Sequence, residues 1–299
     1  MQTQALLIQP GIPVQQVPIA GTQKLGTGGK LYLQTSKSVV IKEKPQYIEL
    51  MGFNKENIYT VFAERSLPGG LVKGQKMFKV KESSSCFCRN CCPPSSRPFS
   101  IKIWAYVQDS RGNTLKQRFL KLTRPGRCTC LCLNRPYMTI YYYKKGKIEM
   151  EITKTQLGTI SFPCCYRCTD PFSHYYTLNV KTRANDYIVK GDCAQLGFCC
   201  GIDTRCCVPS CKKAKFSIAR EEGDKIGKIT KGWTNIVQEC ASDAGDMKID
   251  LPEVHWKEKA LFLGAMFFIN YNSFEHRYPK GCLYLLPCIA NSTNIVYLF

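Results

Sequence analysis

Four carboxylates, Asp243, Asp246, Asp250 and Glu253, crowd into one short segment of an otherwise basic chain. Calcium takes about six to eight oxygen ligands, and closely spaced carboxylates on a turning loop can supply several of them. Lys248, in the middle of the segment, opposes any cation there. The segment reads either as a weak calcium site or as a solvated acidic turn.

Cysteine is the second residue type with chemistry to offer. The chain holds 19 cysteines, most of them in four groups at Cys86–Cys92, Cys128–Cys132, Cys164–Cys168 and Cys193–Cys211. The N-terminus has no basic n-region and only a short apolar patch, so we expect no secretory signal. Reduced thiols follow, because a disulfide framework belongs to secreted chains and an odd count fits it poorly. Three uses then compete. Structural zinc favours paired C-x2-C knuckles, a spacing found at Cys88 to Cys91 and Cys165 to Cys168, but the 3 histidines form no knuckle with a second histidine. Clustered exposed thiols on a basic surface accept acyl chains, and two chains anchor far better than one. Buried thiols acting as small hydrophobes are the plain alternative.

Bond-making chemistry finds no support. Nucleophilic catalysis needs a base beside its nucleophile, and the scattered His174, His255 and His276 match no such motif. No Walker loop, GxSxG or dinucleotide fingerprint appears. We expect no enzyme.

The elements that would carry these residues can be read from pattern. Strand-like runs recur from Leu31 onward: LYLQTSKSVVIKEK, YIELMGF, NIYTVFAE and KMFKVKE. Hairpins follow with turns at Arg111-Gly112-Asn113 and Lys145-Gly146, then in HYYTLNVKTRANDYIVK and AKFSIAREEGDKIGKIT. Strands at such regular spacing argue for an antiparallel barrel or sandwich. Trp233, Ile236, Val237 and Cys240 give a short helical face. The most apolar run is Ala260, Leu261, Phe262, Leu263, Gly264, Ala265, Met266, Phe267, Phe268 and Ile269. As a helix it rises ~15 Å, while a bilayer core asks for roughly 20 apolar residues. It is a helix buried inside the protein or, less simply, one inserted in a membrane.

Three motifs in order resemble the phospholipid scramblase family. They are SCFCRNCCPPSSRPFSIKI (Ser85 to Ile103), RPGRCTCLC (Arg124 to Cys132) and GKITKGWT (Gly227 to Thr234), with GFxxxNxY at Gly52, Phe53, Asn57 and Tyr59 upstream. The resemblance implies a mainly β, tubby-like fold: a closed antiparallel barrel around a central hydrophobic C-terminal helix. It implies calcium-activated, ATP-independent, bidirectional phospholipid scrambling at the cytoplasmic face of the plasma membrane. It also implies lipidation of the palmitoyl kind, at Cys128, Cys130 and Cys132, a block thinner here than is usual in the family. The calcium segment matches at Asp243-Ala244 and Leu251-Pro252, but Gly245 and Val254 replace carboxylates, leaving Asp246, Asp250 and Glu253 as substitutes. Gly227, Lys228, Ile229, Lys231 and Trp233 resemble a non-classical nuclear import signal, which implies a nuclear pool; a basic strand entering a helix reads equally well.

Charge bounds the partners. The formal net charge is +20, which favours an anionic phospholipid membrane or nucleic acid. A single short helix offers a headgroup no path, so transport calls for homo-oligomers or several inserted elements. The other reading is an acylation-anchored lipid-surface or nucleic-acid binding regulator of the same fold, without transport. Residues 1–29 read as a flexible tail without PPxY-type motifs, 30–276 as the domain, and 277–299 as an uncharged tail of no evident role.

Overall fold

The computed structural model describes residues 28–44, 56–67, 70–85, 97–109, 111–126, 136–145, 152–161, 175–182, 185–192, 195, 213–221, 223–232 and 246–274. These residues form twelve strands: β1 (Ser38–Glu43), β2 (Ile58–Leu67), β3 (Gly70–Ser83), β4 (Phe99–Gln108), β5 (Thr114–Arg124), β6 (Tyr137–Lys145), β7 (Ile152–Ser161), β8 (Tyr175–Lys181), β9 (Asp186–Asp192), β10 (Lys213–Arg220), β11 (Lys225–Gly232) and β12 (Asp246–Asp250). Each strand pairs antiparallel with its neighbours in sequence. β1 pairs with β12, so the sheet closes on itself and leaves no edge.

Most of the described strands form where the alternation predicts them; YIELMGF (47–53) lies outside the described residues. β4 alternates with Phe99, Ile101, Ile103, Ala105 and Val107 buried and Lys102 and Gln108 exposed, the period-2 pattern of a sheet with one wet face. Its turn into β5 works because Gly112 takes φ +79° and Asp109 accepts the backbone N–H groups of Arg111 and Asn113. The Asn113 N–H is the main reason the Asp109 carboxyl sits below the usual carboxylate range.

Two expectations are corrected. LYLQT, read as the start of a strand, lies in helix α1 (Gly28–Thr35). The LYL alternation was a short coincidence that packing overrides: Leu33 is buried, and Lys259 Nζ donates to Gln34 O (3.1 Å) and Ser36 O (2.8 Å), satisfying carbonyls at the end of α1. Burial holds the Lys259 ammonium pKa below its usual value, against the opposing pull of Glu253. The acidic segment, read as a turn, contributes β12. Met247 and Ile249 point into the core while Asp246, Lys248 and Asp250 point out.

The barrel interior is occupied. Helix α2 (Trp256–Ile269) continues into a π-helical turn (Asn270–Phe274). Every residue from Lys259 to Tyr271 is buried, so the helix is apolar on all sides because the barrel wall surrounds it. Each large apolar side chain so buried contributes roughly 1.5–3 kcal/mol. Among the described residues no helix is long and apolar enough to cross a membrane.

The start of α2 is fixed by a capping box. His255 Nδ1 accepts the Lys257 N–H, and Glu258 accepts the His255 N–H. Glu258 Oε1 also accepts from the Tyr187 hydroxyl at 2.7 Å and from Asn185 Nδ2 at 2.6 Å. Burial, then the Glu258 bond, push the Tyr187 phenol up to about 12. The folded protein thus holds this proton more tightly than the unfolded chain. That contribution is intact below the unfolded value near 10 and is lost as pH rises through about 12. We expect Tyr187→Phe to cost about 1.5–3 kcal/mol at neutral pH. It should also flatten the fall in stability above pH 10, read from urea midpoints across alkaline pH. An unchanged alkaline slope would rule out this proton as its cause.

Candidate functional site

Of the predicted site residues, those of the helix are placed most firmly. Ala260, Leu261, Phe262, Leu263, Met266, Phe267, Phe268 and Ile269 all lie within the barrel core. At the far end of α2 a buried polar chain ties helix to wall. Lys231 Nζ donates to Asn270 Oδ1 (2.8 Å), Asn270 Nδ2 to Tyr59 Oη (3.3 Å), and Tyr59 Oη to Tyr271 Oη (3.3 Å). Tyr271 Oη donates to Glu82 Oε2 at 3.2 Å. Glu82 also accepts from Ser84 Oγ (2.7 Å) and the Asn57 N–H (3.2 Å), and meets Arg97 Nη2 at 3.4 Å. None of this chain was foreseen, because its members come from β2, β3, β11 and the helix and meet only through register.

The import-like segment lies on β11. Lys228 faces outward and half-buried, but Ile229 and Lys231 point into the barrel. A receptor reading the segment as an extended peptide would have to pull β11 out from between β10 and β12. Trp233 lies outside the described residues, as does the helix expected around it.

The acidic residues do not converge on one point. Asp246 and Asp250 stand at opposite ends of an extended strand, about 13 Å apart at ~3.3 Å per residue. Two oxygens on one calcium ion are at most about 5 Å apart, so one ion cannot take both. Asp246 is bonded to Lys42 (2.8 Å), and Lys248 lies between Glu64 (2.8 Å) and Asp250 (3.3 Å). Among the described residues no three His, Cys, Asp or Glu side chains could hold a metal together. Asp243 lies outside the described residues; Glu253 is exposed beyond the strand. The four-carboxylate set therefore does not fit a single ion.

All 19 cysteines, Cys128, Cys130 and Cys132 among them, fall outside the described residues. Their flanking strand ends are informative. The cysteine-bearing segments join β3 to β4, β5 to β6, β7 to β8, β9 to β10 and β11 to β12. In a barrel whose neighbours are all antiparallel, those strand ends share one rim. It is also the rim where α2 ends, since Tyr271 packs on Phe99, the first residue of β4.

Among the described residues the barrel wall is thinnest between β7 and β8, joined at Thr159–Lys181, Ile160–Val180 and Ser161–Asn179. A groove of roughly 290 Å³ lies there, lined by Gln156, Leu157, Gly158, Thr159, Lys181 and Thr182.

Comparison with known proteins places this chain in a family. A family model described as Scramblase matches residues 21–276. Phospholipid scramblase 2 of Bos taurus is 27% identical over 285 residues, covering 89% of this chain and 83% of that one. Phospholipid scramblase 1 of Homo sapiens is 27% identical over 269 residues, covering 89% and 70%. Phospholipid scramblase family member 5 of Homo sapiens is 25% identical over 252 residues, covering 83% and 78%. No solved structure matches the chain. With a family match across most of its length, ending where the buried helix ends, this chain belongs to the scramblase family.

Proposed function

We propose that this chain moves phospholipids between bilayer leaflets, in both directions, without ATP and without making or breaking a covalent bond. The observation that carries the reading is the family membership, with relatives named phospholipid scramblases aligned over most of both chains. The physical task is to lower the cost of taking a charged headgroup through hydrocarbon. With α2 enclosed by the barrel, that helix supplies no path in this conformation. The work falls to the outer surface of the barrel, to oligomers or to several inserted elements.

Anchoring and triggering extend the proposal. Acyl chains on Cys128, Cys130 and Cys132 would hold the protein at the cytoplasmic face of the plasma membrane, two or more chains giving a stable anchor. Calcium activation rests on the resemblance at Asp243-Ala244 and Leu251-Pro252. A site using Asp243 with Asp246 would displace Lys42, whose half-exposed pairing is worth about 0.2–1 kcal/mol; that is a small obstacle to a divalent ion.

A second reading is favoured by the burial of α2: an acyl-anchored binding regulator, of lipid surfaces or nucleic acid, without transport. Lipid-flip kinetics in proteoliposomes separate the two. We expect flipping above protein-free vesicles, faster with calcium, and loss of the calcium response in Asp243→Ala. A folded, vesicle-bound protein with no flipping in either condition would leave the binding regulator.

A further inference from the structure

We propose that the outer face of β3 to β6 is the surface by which the barrel docks on an anionic phospholipid membrane. The inference rests on the lipid reading above and adds which face meets the lipid. Register is what reveals it. Lys81 on β3 stands opposite Lys102 on β4, and Lys102 stands opposite Lys121 on β5. Three lysines thus form one row across three adjacent strands, ending at Tyr141 on β6. The next row runs Lys79, Trp104, Arg118. Beyond it Tyr106 faces Lys116.

Like charges directly opposite each other across a ladder destabilise a sheet. Folding has no use for such a row, and an anionic partner does. Lys81 has a carboxylate, Glu56, at 2.9 Å. Among the described residues Lys102 and Lys121 face no carboxylate. The one acidic residue within these four strands is Glu82, which is buried in the core. The opposite wall differs: Asp186 and Asp192 on β9, and Asp246 and Asp250 on β12, dilute its lysines.

Lipid is favoured over other anions by the aromatic residues set among the cations. Trp104, Tyr106 and Tyr141 are half-buried on this outer face, and Trp and Tyr settle at the headgroup level of a bilayer. The placement agrees. Lys81, Lys102 and Lys121 lie within three residues of the strand ends Ser83, Phe99 and Arg124, at the rim from which the segments 86–96 and 127–135 depart. A basic row beside that rim supplies the electrostatic half of a two-part anchor.

The test is vesicle co-sedimentation of the full chain with phosphatidylcholine vesicles carrying phosphatidylserine, beside pure phosphatidylcholine, at low and physiological salt. Each lysine near an anionic surface is worth roughly a fivefold change in partition. Lys102→Gln with Lys121→Gln should therefore weaken binding about twentyfold to thirtyfold, with circular dichroism and melting unchanged. Lys190→Gln with Lys215→Gln, exposed on β9 and β10, should change it far less. Equal losses from both pairs, no loss from the first, or a loss confined to binding of a DNA duplex would overturn the proposal. Flip kinetics keep the outcomes apart. Binding lost on this face in a chain that does not flip lipid refutes transport alone. Flipping with binding unaltered refutes this face alone.

Discussion

Glu82→Ala is expected to lower stability by about 3–5 kcal/mol, the range for breaking a buried ionic contact by removing one side. The carboxylate is fully buried and stands where four donors converge: Tyr271, Ser84, the Asn57 N–H and Arg97. Alanine removes the acceptor from all four at once, and the space it leaves is enclosed by the wall. Glu82→Gln keeps the shape and one carbonyl oxygen, so we expect a smaller loss of about 1–3 kcal/mol. Tyr271→Phe removes one donor to Glu82 together with the acceptor of the Tyr59 hydroxyl, and should cost about 1–1.5 kcal/mol. Urea midpoints of the three variants should fall in that order. A Glu82→Ala protein as stable as the parent would mean that the carboxylate does not anchor the end of α2.

The contrast between Glu82 and the apolar helix marks where sequence reading succeeds. Ala260 to Ile269 favours a buried helix over an inserted one, because it is too short for a bilayer and apolar on every side, and the barrel around it decides between the two. The hairpins of β4–β5 and β10–β11 are equally plain, since alternation on both sides meets a turn residue in the middle. β12 was obscured by its own outer face. Asp246, Lys248 and Asp250 drew attention to charge, while the two core residues between them, Met247 and Ile249, were enough to close the barrel.

Features built by register were illegible for a different reason. Lys81, Lys102 and Lys121 each look like a solvated strand residue, and nothing in the one-dimensional spacing says they face each other. The same holds for Tyr59, Glu82, Lys231 and Asn270. Each is an ordinary polar residue in its own strand or helix, and only the closed sheet sets them end to end. Lys231 is the sharpest case. Read along the chain it belongs to a basic import-like motif; read across the barrel it donates to the Asn270 side chain at the end of α2.

Two glycines where α2 packs on the barrel wall, Gly158 in β7 and Gly264 in α2 itself, separate a costly contact from a cheap one. A Cβ on Gly158 would meet the Lys181 carbonyl oxygen at 2.2 Å and Leu261 Cδ1 at 3.0 Å. The first is backbone, and it belongs to the short β7–β8 seam, so relief requires the strands to part where, among the described residues, three residue pairs hold them. A Cβ on Gly264 would meet Ile140 Cδ1 at 2.2 Å, the movable tip of a side chain, and more loosely the tip of Ile160 at 3.0 Å. Rotating that tip costs about 0.5–1.5 kcal/mol, and alanine in a helix returns about 1 kcal/mol over glycine. Gly264→Ala should therefore be nearly neutral, whereas Gly158→Ala should cost about 3 kcal/mol, the upper range for overpacking. Hydrogen exchange should localise the second effect, with protection lost at the β7 and β8 amides before the rest of the barrel. Equal melting temperatures for the two variants would mean that β8 can shift along the helix, and that the seam yields without strain.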